Sequence, residues 1–382
     1  IQINRVPIAP DAFVPLVEAV KPHVAAIPGL TMFEIEAALA FWHFAREGVG
    51  VGVIEVGMGG RLDATNVVMP LVSVITSISL DHTPILGNTH AEIAAEKAGI
   101  IKKNRPIVAA PNPRPVRETI ARIARERRAP IFGFLSQMSG SEGEDYRYST
   151  NEQSLEGQSF LVWNRNERIE LKISLLGAHQ VENAATAYAA LQIARKEGLQ
   201  IDQDAIRTGF ATATWPGRFE ILRPDSISPD GVRPDGIRTD GVRPDGIRTD
   251  GIRTIPPLVI DSAHNVDSTR RLCQTLDDYF PARPVTLVLG VSGDKDVRGI
   301  LAELRPRITG FIATTSTHPR AMPPEKLATL ANESGLRAIP VTAIENALHL
   351  AIENTPPNGL VLVTGSIFVA GAARTAWERN PY

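Results

Sequence analysis

Apolar positions along the chain follow two alternating rhythms. Over residues 31–47 they fall at Phe33, Ala37, Ala40, Phe41 and Phe44, a helical spacing that Gly48 and Gly50 stop. Residues 51–56 (VGVIEV) form a short apolar run ending in glycine, the pattern of a buried parallel strand, and residues 72–78 form a second. Residues 91–98 predict a helix, 106–110 a strand and 116–128 another helix. The polar stretch 136–168 predicts loops and short antiparallel strands, and a long helix follows over 181–197, ended by Gly198. Trp215-Pro216-Gly217-Arg218 breaks the pattern, after which the alternation resumes. Strands are expected at 258–260, 285–289, 310–314 and 360–363, and helices at 268–279, 297–304, 324–332 and 344–353. Strands alternating with helices predict an α/β fold, in two domains spanning 1–214 and 215–382. Residues 229–253 stand apart as five copies of a five-residue Asp-Gly unit, each with one Asp and one Arg; we read them as a duplicated, exposed loop.

Composition narrows the function classes. The 382 residues are 43% hydrophobic, enough for two cores at about 100–200 residues per domain. Lys plus Arg number 40 and Asp plus Glu 42, so the net charge of −2 gives no drive toward nucleic acid or an anionic membrane. One cysteine, Cys273, excludes an internal disulfide framework and a multi-cysteine zinc site. No apolar run reaches the roughly 18 residues of a spanning helix, and the start lacks a signal-peptide layout, so a cytoplasmic protein is expected. The first residue is Ile, which fits a chain that begins inside a longer gene product.

Three segments concentrate polar chemistry. In Glu55-Val-Gly-Met-Gly-Gly-Arg61-Leu62-Asp63-Ala64-Thr-Asn66 a strand pattern ends on a carboxylate, then glycines allow close backbone approach to a ligand. Asp81-His82 follows the next strand pattern, where a metal ligand or general base could sit; a lone pair of this kind is more often structural. In Glu96-Lys97-Ala-Gly-Ile-Ile-Lys102 a lysine lies among small apolar residues. A neutral lysine amine can add carbon dioxide and become a carbamate, an anionic oxygen ligand.

Together EVGMGGRLDATN, LDHT and AAEKAGIIK resemble the folylpolyglutamate synthase and dihydrofolate synthase family, a branch of the ATP-dependent Mur ligases. LLGAHQVENAATA, WPGRFE, VIDSAHN, GVSGDKD and TGSIFVAGAAR follow in the same order, so the resemblance covers nearly everything outside 229–253. It implies a Mur-ligase-type ATP- and pterin-binding α/β domain, N-terminally truncated, and a Rossmann-like C-terminal domain. It implies glutamate addition to dihydropteroate or to folylpolyglutamate through an acyl phosphate, with ATP and magnesium. By resemblance Glu55, His82 and Lys97 hold the metal, with Lys97 carboxylated on its amine; a His ligand is unusual for magnesium. Thr31, Phe33, Glu34, Arg61, Leu62, Asp63 and Ala64 match substrate-contacting positions. Asn183, Arg218, Asp261 and His264 match nucleotide contacts, and Lys97, His82 and Asp261 the catalytic set. Asn265 completes one motif, Lys295 and Asp296 match positions near the glutamate or the interdomain cleft, and Ser366 matches a position of no assigned role.

The family's Gly-Thr-Asn-Gly-Lys-Gly-Ser phosphate loop and its Ser-Pro-His segment do not occur in these residues, and IQINRVPI resembles the stretch just after them. These residues alone are therefore expected to show little ligase activity and an exposed sheet edge. The alternatives are a non-catalytic folate-binding relic, which retention of Glu55, His82 and Lys97 argues against, and a cell-wall Mur ligase, which varies more at the first two motifs. A small-molecule enzyme acting as a monomer is expected, with neither nucleic acid nor membrane as partner.

Overall fold

The computed structural model describes residues 1–134, 145–223 and 255–379. The repeat at 229–253 and part of the polar stretch 136–168 lie outside the described residues. The chain divides into two compact units. One holds Ile1–Arg147, Asn164–Asn166 and Thr186–Gln200; the other holds Tyr148–Trp163, Glu167–Ala185 and Ile201–Tyr382.

The first unit opens with a hairpin of β1 (Gln2–Ile3) and β2 (Val6–Pro7). Its two-residue turn, Asn4-Arg5, takes positive φ at both positions, which matches the twist of paired strands. Helix α1 (Pro10–Ala26) follows, with Pro15 and Pro22 inside it, and buries Leu16 and Val20 against Leu39 of α2 (Met32–Arg46). A capping box starts α2: the Glu34 N–H donates to the Thr31 hydroxyl, and the Thr31 N–H to the Glu34 carboxylate. A single 3₁₀ turn lies at Ala64–Val67. Then come β3 (Ser73–Ile75), the one-turn α3 (Thr83–Leu86) and α4 (His90–Lys97), the last with a Thr89–Glu92 capping box. A second 3₁₀ turn at Ala98–Ile100 leads to β4 (Ile107–Ala109), α5 (Arg114–Glu126) and β5 (Ile131–Gly133). The order β3-β4-β5 is wholly parallel. Helices α4 and α5 cover it with Ile93, Ala94, Val116 and Ile120, all within 1% of full burial.

One expected strand is corrected. Residues 51–56 form no ladder, and Val53 is 95% exposed. An apolar run becomes a strand only beside a partner, and among the described residues β3 pairs on one side only, with β4.

From Tyr148 on, the second unit holds an antiparallel sheet of β6 (Arg147–Ser154), β7 (Gly157–Trp163) and β8 (Arg168–Ile173). The strict alternation of β8, buried at Ile169, Leu171 and Ile173, is that of a sheet with one wet face. Helix α6 (Ala178–Lys196) contributes residues to both units, and α7 (Gln203–Ala211) packs against β8. The largest sheet uses β9 (Glu220–Leu222), β10 (Leu258–Ile260), β11 (Val285–Leu289), β12 (Ile308–Ala313), β13 (Ala338–Pro340) and β14 (Leu360–Thr364). Interleaved with them are α8 (Val266–Tyr279), α9 (Val297–Leu304), α10 (Pro324–Glu333), α11 (Ile344–Asn354) and α12 (Ile367–Arg379).

The order β13-β12-β11-β14-β10-β9 is parallel except for β9. Helices α8, α9 and α10 cover one face, α11 and α12 the other. Burial on both faces explains why β10, β11 and β14 read as nearly continuous apolar runs, interrupted in β11 only by the buried Thr286. Strand order reverses between β11 and β14, the switch point where such sheets open a crevice at their carboxyl ends. There a Cβ on Gly365, at φ +108°, would lie 2.5 Å from the Gly290 carbonyl oxygen, so the two loops leave the sheet in backbone contact.

Candidate functional site

In the first unit a cavity of about 230 Å³ opens past the carboxyl end of β3. Gly57, Met58 and Gly59 form one wall, Ser77, Ile78 and Ser79 another, and Asp81, His82, Leu86 and Lys97 complete it. Asp63 ties the glycine-rich wall together. Its carboxylate accepts from the Met58 N–H at 2.9 Å, the Thr65 N–H at 2.9 Å and the Thr65 hydroxyl. Burial pushes the Asp63 carboxyl up, but the Thr65 hydroxyl and the amides of Met58, Thr65 and Gly57 outweigh it and hold it below its ordinary value. His82 stands at φ +52°, a left-handed conformation unusual for histidine, while its backbone N–H donates to the Asp81 carboxylate at 2.8 Å. Lys97 is the last residue of α4 and enters the cavity half-buried.

Phe33, at the start of α2, lays its ring over Gly57: a Cβ there would meet Phe33 Cζ at 2.4 Å. Leu62 is 80% exposed beside this loop. Thr31 and Glu34 are engaged in the capping box, and that pairing holds the Glu34 carboxyl below its ordinary value. Arg61 turns to Glu96: Nε donates to Oε1 at 3.1 Å and Oε2 at 3.2 Å, and Nη2 lies 3.0 Å from Oε1. Ala64 begins the 3₁₀ turn that Asp63 caps.

The structure thus brings His82 and Lys97 to one cavity but not Glu55, which is exposed and absent from the lining. Among the described residues no three His, Cys, Asp or Glu side chains gather as a metal would need. The three residues expected to hold magnesium do not fit it as placed.

In the second unit Asp261 follows β10 and is 8% exposed. Its Oδ2 accepts from the Phe219 N–H at 2.9 Å and its Oδ1 from the Ala263 N–H at 2.8 Å. Burial raises its carboxyl above the ordinary value against these bonds and the nearby Arg218 charge. The Ser262 hydroxyl donates to the Gly217 carbonyl at 2.9 Å, so the Trp215–Phe219 turn is pinned to the β10 end, with Phe219 at φ +47°. His264 Nδ1 lies 3.0 Å from the Ser262 carbonyl, and Asn265 caps α8. Asn183 is exposed on α6, its amide donating to Gln180 at 3.3 Å. At the switch point Asp296 caps α9, and the Ser366 hydroxyl accepts from the Val369 N–H at 3.2 Å, at the start of α12.

Sequence reasoning missed two groupings. His318 stacks on the half-exposed Phe368 with ring centroids 4.3 Å apart. His179 packs near Gly177, Arg271 and Thr275, while Glu182 pairs with Arg271 at 3.7 Å. Burial, helped by the Arg271 and Arg218 charges, lowers His179 to about 4. Both histidines lie in quoted motifs or turns, but their partners are distant in sequence.

No helix among the described residues is long and apolar enough to cross a membrane. Residues 19–191 match the Mur ligase middle domain, and 248–367 the Mur ligase glutamate ligase domain. The chain is 34% identical to the dihydrofolate synthase/folylpolyglutamate synthase of Mycobacterium tuberculosis, over 100% of its own length and 78% of that protein's. The M. tuberculosis folylpolyglutamate synthase structure complexed with ADP and AMPPCP superposes at a TM-score of 0.79, with 32% identity, covering 100% of this chain and 82% of that one. Escherichia coli FolC in complex with DHPP and ADP gives 0.78 and 27%, covering 99% and 78%. With full-length identity above 30%, both domain matches in order and the same fold throughout, the chain belongs to the dihydrofolate synthase/folylpolyglutamate synthase family of Mur ligases.

Proposed function

We propose that this protein is an ATP-dependent ligase that joins L-glutamate to a pteroate or folate carboxylate. The observation that carries the reading is the cavity past β3, where the family's glycine-rich loop, His82 and Lys97 share one lining. In the reaction a substrate carboxylate oxygen attacks the γ-phosphorus of ATP, giving an acyl phosphate and ADP. The glutamate amine then attacks the acyl carbon, phosphate leaves, an amide forms and the amine gives up a proton. Little covalent work falls to the protein, so its task is positioning and charge neutralisation. In this reading His82 and Lys97 face the reacting carboxyl, and the exposed Phe33, Met58 and Leu62 offer apolar surface to a pterin ring. Asn183, Arg218 and His264 serve the nucleotide, and Asp261 holds the Arg218 turn in place. Magnesium belongs to the reading as the counter-ion of ATP, without a ligand set among the described residues. The division of labour falls near Trp215, pterin and phosphate before it and the remaining substrate groups after it, in a cytoplasmic monomer.

The test is incorporation of labelled glutamate into dihydropteroate and into a folate by the full gene product, with ATP and magnesium. Incorporation that requires ATP, releases one ADP per amide and falls about 100-fold in Lys97→Ala is the expected result. Pterin binding without incorporation would favour the folate-binding relic.

A further inference from the structure

Arg61 was expected to contact substrate, yet in the structure its side chain faces Glu96, the residue before Lys97. The pairing is one part of a larger joint. The Arg61 N–H donates to the Glu96 carbonyl at 2.9 Å, a carbonyl at the end of α4 that the Ala98 N–H of the helix cap also reaches. The guanidinium sits where a helix C-terminus favours a cation. Gly60, at φ +150°, lies so close that a Cβ would meet the Lys97 carbonyl oxygen at 3.0 Å and that of Glu96 at 3.2 Å. From the other side a Cβ on Gly99 would stand 2.4 Å from Arg61 Cα. Two buried glycines and one ion pair thus press residues 60–61 onto the turn that carries Lys97. Asn66 adds a bond from Nδ2 to the Gly99 carbonyl at 3.3 Å.

Gly57, Met58 and Gly59, just before this joint, form one cavity wall, and Lys97 stands on another. We propose that Arg61 and Glu96 are positioning residues, which lock the glycine-rich wall to the end of α4 and so set where the Lys97 amine stands in the cavity. A half-exposed ion pair adds little to stability, so its use here is geometric. The inference rests on reading the cavity as the reaction site.

The test compares Arg61→Ala, Glu96→Gln and the charge exchange Arg61→Glu/Glu96→Arg in the full gene product. Two readouts run in parallel: kcat and KM for the pterin, and the rate at which Lys97 is labelled by trinitrobenzenesulfonate, read by peptide mass spectrometry. Displacing the joint is expected to lower kcat by about 10- to 100-fold with KM changed less than about threefold. Lys97 labelling is expected to change severalfold, and the charge exchange to restore part of both. A rise in KM with kcat and Lys97 labelling unchanged would overturn the proposal and make Arg61 a substrate contact. No change in either readout would overturn it as well. Should the unaltered protein fail to ligate glutamate, the functional reading falls, and the labelling series still decides the joint.

Discussion

Gly99→Ala tests the packing of the glycine-rich loop most directly. Gly99 lies in the 3₁₀ turn after α4 and is buried, and its φ is ordinary, so an alanine there meets no backbone strain. The obstacle is space. The added Cβ would fall 2.3 Å from Arg61 Cβ, 2.4 Å from Arg61 Cα and 2.9 Å from Arg61 Cγ. Two of these atoms cannot swing away, because the Cα is backbone and the Cβ is fixed to it. Ordinary contact begins near 3.4 Å, so residues 60–61 must retreat by about 1 Å. That retreat stretches the Arg61 N–H bond to the Glu96 carbonyl beyond hydrogen-bonding range. Overpacking of this kind costs about 1–3 kcal/mol, and the lost backbone bond adds about 1. We expect a loss of about 3 kcal/mol, or roughly 6–12 °C in the unfolding transition of the first unit. Differential scanning calorimetry measures it, and hydrogen exchange on peptides covering 57–66 localises it. A melting temperature within about 1 °C of the parent, with protection across 57–66 retained, would refute the close approach.

Three further outcomes are expected. Gly371→Ala, in the exposed interior of α12 with nothing within 4 Å of the new Cβ, stabilises by about 0.5–1 kcal/mol in urea titration; a loss would mean the helix packs differently there. Because burial lowers His179 from 6.5 to about 4, its neutral form supports the fold fully above pH 6.5, and that support fades as pH falls toward 4. At about 1.4 kcal/mol per pH unit the loss reaches roughly 3 kcal/mol, so melting curves between pH 7 and 4 should be flatter for His179→Gln, and equal slopes would exclude the buried site. Asp261→Asn turns one acceptor into a donor facing a backbone N–H, at a cost of about 2 kcal/mol; unchanged stability would free Asp261 from its role as a pin.

The elements most legible from sequence were those whose pattern needed no distant partner. The pattern at 297–304 predicts a helix, and α9 forms there because Asp296 caps it and four apolar residues share one face. The runs at 258–260 and 285–289 matched β10 and β11, being buried on both faces. Residues 51–56 failed because a strand is a relation between two segments. Helix α1 went unread because Pro15 and Pro22 ordinarily break a helix, yet burial of Leu16 and Val20 sustains this one. In the candidate site, His82 and Lys97 are legible because each stands at a helix terminus, His82 just before α3 and Lys97 at the end of α4. Arg61 is not, since its partner lies 35 residues away.

The antiparallel pairing of β9 with β10 carries a consequence for engineering. Leu222 sits opposite Leu258, so residues 223–257 leave and re-enter the sheet one ladder rung apart, a gap of about 5 Å. The connection ends where it begins, whatever lies between. Removing all of 229–253 leaves ten linking residues, less than two halvings of length, and alters closure by only about 1 kcal/mol. The position is thus a natural graft port. A reporter domain with neighbouring termini could replace the repeat, and the ladder from Glu220 to Leu222 would hold its two stumps in register.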